Sequence, residues 1–66
     1  MPRYFFNVHY GHHIARDPVG LVVVDLAEAV RQAQKARADI MREGELSLLW
    51  LEIVDEDGRM LAKVGL

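Results

Sequence analysis

Asp25-Leu26-Ala27-Glu28-Ala29-Val30-Arg31-Gln32-Ala33-Gln34-Lys35-Ala36-Arg37-Ala38-Asp39-Ile40-Met41-Arg42-Glu43-Gly44 carries the strongest periodic signal in the chain. At 100° per residue, Leu26, Ala29, Val30, Ala33, Ile40 and Met41 share one face, with Glu28, Arg31, Lys35, Asp39 and Arg42 opposite. Alanine, arginine, glutamine, lysine and glutamate all favour helix, so the spacing predicts one amphipathic helix over Leu26–Glu43. Asp25 is placed to accept the Glu28 N–H while Glu28 reaches back, an aspartate version of the capping box. Gly44 is placed to end the helix as its C′ residue. The buried stripe is rich in alanine, which lets the helix lie close to whatever it covers. Arg37 falls on the same stripe. It either lays its stem over the core with its head in water or pairs with a carboxylate such as Glu52.

On either side of this helix the period changes to two. Arg3–His9 alternates, with Tyr4, Phe6 and Val8 on one side and Arg3, Phe5, Asn7 and His9 on the other, which predicts a half-buried strand. Gly11 offers a turn, His13–Arg16 a short returning strand, Asp17-Pro18-Val19-Gly20 a second turn, and Leu21–Val24 a short extended piece. Beyond the helix, Leu48–Val54 and Arg59–Val64 read as strands joined by the Asp55-Glu56-Asp57-Gly58 hairpin turn. The expected fold is therefore α+β and ββαββ-like. Hairpin, helix and hairpin form one domain over residues 1–66, with the helix on one face of a small, mainly antiparallel sheet.

The chain has 66 residues, no cysteine and a net charge of −2. A domain of this size buries only about 60% of its unfolded surface. Disulfides and thiolate metal sites are excluded, so self-association becomes the expected source of extra stability. The absence of cysteine also fits a reducing compartment. No apolar run approaches the ~20 residues of a spanning helix. The opening Met1-Pro2-Arg3-Tyr4-Phe5-Phe6 has no signal-peptide pattern. The expectation is thus a soluble cytoplasmic protein. Residues 1–24 sum to +1, residues 25–44 to zero and residues 45–66 to −3. No segment is a basic footprint for phosphate, which argues against nucleic acid as a partner.

Met1-Pro2-Arg3-Tyr4-Phe5-Phe6 with Val8-His9, then Arg16-Asp17, Gly20, Asp25-Leu26 with Ala29, and Asp55-Glu56-Asp57-Gly58-Arg59 recur in this order in a small bacterial family. The chain resembles these short Met-Pro-Arg-Tyr-Phe-Phe proteins of soil and plant-associated bacteria, a family of unknown function. The resemblance spans nearly the whole length and implies an independently encoded domain without assigning catalytic residues. A shorter stretch, Gly11-His12-His13-Ile14-Ala15-Arg16-Asp17-Pro18, looks like the histidine-bearing strand of the small HicA-type RNA-cleaving toxins. That likeness implies His12 or His13 as a general acid–base, although no helix precedes the motif and basic character is missing. Residues 3–40 are also similar in order to HicB-type antitoxin domains, with early strands before an Asp-Leu-x-x-Ala helix.

Read as chemistry, the histidines come first. His9, His12 and His13 sit at a strand end and the following turn, where two imidazoles could converge across the hairpin and Asp17 complete a metal site. Solvated turn residues explain the same pattern, and no cofactor is assigned. The acidic Asp55–Gly58 segment lacks the twelve-residue spacing of a calcium loop. Ser47 is the only serine and there is no threonine, so nucleophiles nearly run out and the expectation is a non-enzymatic protein.

Apolar residues occur at both parities of the strands. Leu49, Leu51 and Ile53 alternate with Leu48, Trp50, Glu52 and Val54, while Phe5 opposes Tyr4, Phe6 and Val8. A single helix covers a single sheet face. A large apolar patch is therefore expected on the other face, and such patches mark association sites. Phe5, Trp50 and Leu61 are the candidate contacts, in a homodimer or against another protein, with an exposed edge strand as a second route. A regulatory or interaction module is the function that follows. The runner-up is a toxin–antitoxin-like, RNA-related component using His12 or His13, or a histidine metal-binding module.

Overall fold

The alternation at the start of the chain becomes the central strand of the sheet. The computed structural model describes residues 1–43 and 49–65. Its elements are β1 (Arg3–Tyr10), β2 (His13–Ala15), β3 (Leu21–Val22), α1 (Leu26–Glu43), β4 (Leu49–Val54) and β5 (Met60–Val64). The fold is α+β, and every strand pair is antiparallel. The sheet runs β2-β1-β4-β5, with β3 also paired to β1. The two hairpins thus meet through β1 and β4, joined by the crossover helix. The strand order was not legible from local pattern and is decided by this long-range pairing.

Register settles which parity is buried. Phe6 opposes Ile53, Val8 opposes Leu51 and Tyr10 opposes Leu49, so these six side chains lie on one face. That face packs on α1: Leu49, Leu51, Ile53, Ala29 and Ala33 are at most 1% exposed, and Tyr4, Val23 and Val64 close the core. Ala29 and Ala33 have no side chain beyond Cβ, so helix and sheet approach closely, and Leu26, Val30 and Ala36 pack around them. Phe5, Asn7 and His9 oppose Val54, Glu52 and Trp50 on the face without a helix.

The helix begins as its sequence predicts, with the Glu28 N–H donating to the Asp25 carboxylate at 2.9 Å. The reciprocal half of the capping box is replaced. The Glu28 carboxylate instead accepts from Gln32 Nε2 at 2.9 Å and pairs with Arg31, partners one turn downstream. Arg37 Nε donates to the Leu49 carbonyl at 2.8 Å, holding the helix against the start of β4. A pairing of Arg37 with Glu52 is ruled out because Glu52 lies across the sheet. The expected C′ residue Gly44 and the first expected residue of the strand, Leu48, lie outside the described residues.

β2, β3 and β5 are shorter than alternation alone predicts, while β1 runs one residue further, to Tyr10. β2 stops at Ala15 because Asp17, not a strand, takes the next β1 donor. β3 stops at Val22 as the chain bends toward Asp25. β5 starts after Arg59 because Arg59 closes the turn, with its carbonyl accepting from Asp55 N–H at 3.0 Å. Gly58 occupies the left-handed region there at φ 82°, as the Asp55–Gly58 turn predicts.

The close helix–sheet approach gives a direct test. Ala33→Leu overfills a site with no exposed surface and should cost about 1–3 kcal/mol, read by urea denaturation. Ala38→Leu, on the exposed side of the same helix, should change stability little.

Candidate interaction surface

The face of the sheet without a helix is built in rows across the strands. One row carries Phe5, Val54 and Met60, the next Asn7, Glu52 and Lys63, and the third Ile14, His9 and Trp50. A register shift at Ile53/Val54 leaves Leu61 as the extra residue of β5, with no opposite number in β4. Leu61 is 40% exposed, whereas Phe5 and Trp50 are half-buried by their own neighbours. Of the three candidate contact residues, Phe5 and Trp50 sit on this face, around a polar row that pattern reading did not single out, and Leu61 is the unpaired residue of the β5 irregularity.

That polar row is a connected network. Glu52 Oε1 accepts from Asn7 Nδ2 at 3.3 Å and from His9 Nε2 at 3.2 Å. An ionised carboxylate has no proton to give, so the Nε2 of His9 carries the hydrogen. The His9 ring stacks on Trp50 with centroids 3.8 Å apart and planes 12° from parallel, and Lys63 Nζ lies 5.6 Å from the Trp50 ring. The hydrogen bond from His9 is the main reason the Glu52 carboxyl is held below its usual value. It outweighs the opposing effect of burial and is aided by Asn7 and by the positive charge of Arg16.

Asn7 connects this network to the loop beyond β2. Its Oδ1 accepts the Asp17 N–H at 3.0 Å, and Asn7 is buried with both ends of its amide engaged. Asp17 then spreads its carboxylate over three backbone donors: Phe6 N–H at 3.2 Å, Val19 N–H at 3.0 Å and Gly20 N–H at 3.0 Å. Phe6 is where β1 passes between its two short partners. The Asp17 side chain thus takes the place of a strand in the gap between β2 and β3. Burial pushes the Asp17 carboxyl up, but the donors from Gly20, Phe6 and Val19 together hold it below its usual 3.8. Gly20 lies at φ +77°, and a Cβ there would meet Phe5 Cε2 and the Tyr4 carbonyl, each at 2.9 Å. Glycine is required for the loop to close on β1.

The histidines do not converge. His9 opposes Ile14 on the helix-free face, while His13 opposes Tyr10 on the other face and stacks on its ring at a centroid distance of 5.3 Å. Consecutive strand residues point to opposite faces, so His13 and Ile14 are separated by the sheet. His12 stands exposed in the turn. Asp17 is engaged by backbone N–H groups rather than turned toward an imidazole. Among the described residues, no three histidine or carboxylate side chains form a group that could hold a metal ion. The Asp55 carboxylate is likewise occupied, by the N–H groups of Asp57 and Arg59 and by Arg59 Nε. The backbone hydrogen bond from Arg59 is the largest cause holding it below its usual range.

With this arrangement described, the comparison with known families is decisive on one point. The chain belongs to a family described as a domain of unknown function, DUF6894. The family model matches residues 3–66, nearly the full length of the chain. No curated protein matches it. No solved structure matches it either. No helix among the described residues is long and apolar enough to cross a membrane.

Asp17 carries the test of this loop. Asp17→Ala leaves the Phe6, Val19 and Gly20 donors without their acceptor and should cost about 2 kcal/mol. The folded-state value of Asp17 lies below its unfolded value, so its contribution is complete above the unfolded value. It is lost as pH falls through that value and then through the folded one. Denaturation followed from neutral pH down to about pH 3 should show stability falling in the wild type. In Asp17→Asn the fall should be shallower, with Glu52 and Asp55 supplying the remainder.

Proposed function

We propose that this chain is a small non-enzymatic protein-interaction or regulatory module that self-associates. The observation behind it is the position of its large apolar side chains. Among the described residues, Met1, Ile14, Val19, Leu21, Val22, Val24, Met60 and Leu61 are exposed. Together with half-buried Phe5 and Trp50 they give a 66-residue chain more uncovered apolar surface than its single helix can shield. Aromatic side chains beside an apolar rim are what interface centres favour. On the helix-free face Asn7 and His9 are both tied to Glu52, which suits a surface that keeps its shape when a partner covers it.

Sedimentation velocity over a wide concentration range tests the self-associating part. Weight-average mass should rise with concentration and be unchanged by His12→Ala. A constant monomer mass would overturn it. For the partner-docking part, Trp50→Ala and Leu61→Asp should each weaken capture of a protein retained by the wild-type chain. An RNA-cleaving component would behave in the opposite sense, with loss on His12→Ala or His13→Ala and indifference to Trp50→Ala.

A further inference from the structure

The exposed apolar residues are not spread evenly. Val19 is 68% exposed, Val24 64%, Val22 42% and Leu21 41%, and all four lie in or beside the two-residue strand β3. Met1 joins them, because the Val23 N–H donates to the carbonyl of the adjacent Pro2 at 3.2 Å. The densest uncovered apolar surface is therefore this edge of the sheet, apart from the face carrying Phe5 and Trp50.

The backbone of β3 is also set up for pairing. Val23 gives its N–H toward the β1 side, and sides alternate along a strand, so Leu21 bonds toward β1 as well, opposite Tyr4. Val22, opposite Arg3, then turns both N–H and C=O outward. An edge of this kind usually carries charge, proline or a covering element to prevent pairing. The β5 edge has its guard, exposed Lys63 next to the end of the strand. From Val19 through Val24 there is no charged side chain.

We infer that self-association runs through this edge, with β3 pairing antiparallel to β3 of a second copy about a two-fold axis at Val22. This deepens the proposed self-associating function and rests on it. The occupant is argued from charge and symmetry. A two-fold interface must be self-complementary. Here Val22 meets the second copy's Val22 and Leu21 lies beside its Val23, so the paired strand residues are uncharged, while Arg3, one strand behind Val22, holds its Nη1 on the Val19 carbonyl at 2.8 Å. Pairing through β5 would bring two copies of Lys63 to the seam. The Val22 pair exchanges two hydrogen bonds, and Leu21, Val19 and Val24 lose water contact on either side of it. Because the axis is perpendicular to the sheet, both helices lie on one side. The two helix-free faces then join into one continuous surface left open to a different partner. The strand is short, so the contact belongs with weak, concentration-dependent dimers.

Two measurements test it. Val22→Lys places a charge at the seam on an already exposed side chain. It should hold the chain monomeric in sedimentation velocity while circular dichroism remains that of the wild type, and Leu61→Asp should leave self-association unchanged. Val22→Cys uses the absence of native cysteine: Cα atoms of a directly opposed antiparallel pair are about 5.5 Å apart, within disulfide reach. Mild oxidation should give a covalent dimer with Val22→Cys and none with Leu61→Cys. A wild-type chain that is monomeric at every concentration overturns self-association and this assignment together. A wild type that self-associates, with folded Val22→Lys associating equally or Leu61→Cys cross-linking in place of Val22→Cys, overturns the β3 edge alone.

Discussion

The pairing of β1 with β4 is the constraint from which the rest of the structure follows. It joins residues 5–10 to residues 49–54, across the whole length of the helix, in six consecutive register pairs. A slip of one residue would turn every side chain of β4 to the opposite face. With the observed register, Leu51 and Ile53 share the core with Ala29 and Ala33 and Leu49 is buried on the same face, while Trp50, Glu52 and Val54 turn away. The helix can sit close because its contact stripe is alanine. Once it is seated, no second element among the described residues is left to cover the other face.

A sheet this small has most of its strands at an edge, and the chain deals with its edges in different ways. Between β2 and β3 the unpaired Phe6 N–H is taken by the Asp17 carboxylate, an acceptor supplied by a side chain instead of a strand. Along β5 the exposed Lys63 discourages pairing. At β3 no residue of the strand itself carries a charge, Arg3 beside it is held on the Val19 carbonyl, and apolar side chains stand on both sides of an outward-facing backbone. The same logic governs the helix-free face, where Asn7, Glu52 and His9 satisfy one another and make a rigid polar centre within apolar surroundings. Buried polar groups that are fully engaged add specificity of shape without leaving an unmade hydrogen bond.

The local devices were legible from residue order because each depends on neighbours a few positions apart. Helix α1 spans Leu26–Glu43 as its periodicity predicts, Asp25 caps it, and Gly58 turns the second hairpin. The Tyr4, Phe6 and Val8 parity of β1 was readable for the same reason. The likeness to a family of unknown function agrees with the family match over residues 3–66. Less visible was the role of Asp17, which looked like an ordinary turn former or a possible metal ligand. Its acceptors' partners include a β1 donor eleven positions away. The Asn7–Glu52 contact spans 45 positions and leaves no local trace beyond a polar residue at the outward parity of each strand.

By itself, the sequence determined the helix, the hairpin turns, the α+β class and the presence of more apolar residues than one helix can cover. These follow from dihedral preference, capping and side-chain period, all of which act over a few residues. Only the tertiary structure decided which parity of β4 is buried, why His9 and His13 stand on opposite faces, and where the uncovered apolar surface is densest. Those outcomes depend on the β1–β4 register and on the edge at which β3 adds to β1. Register is a relation between distant segments, and no local preference encodes it.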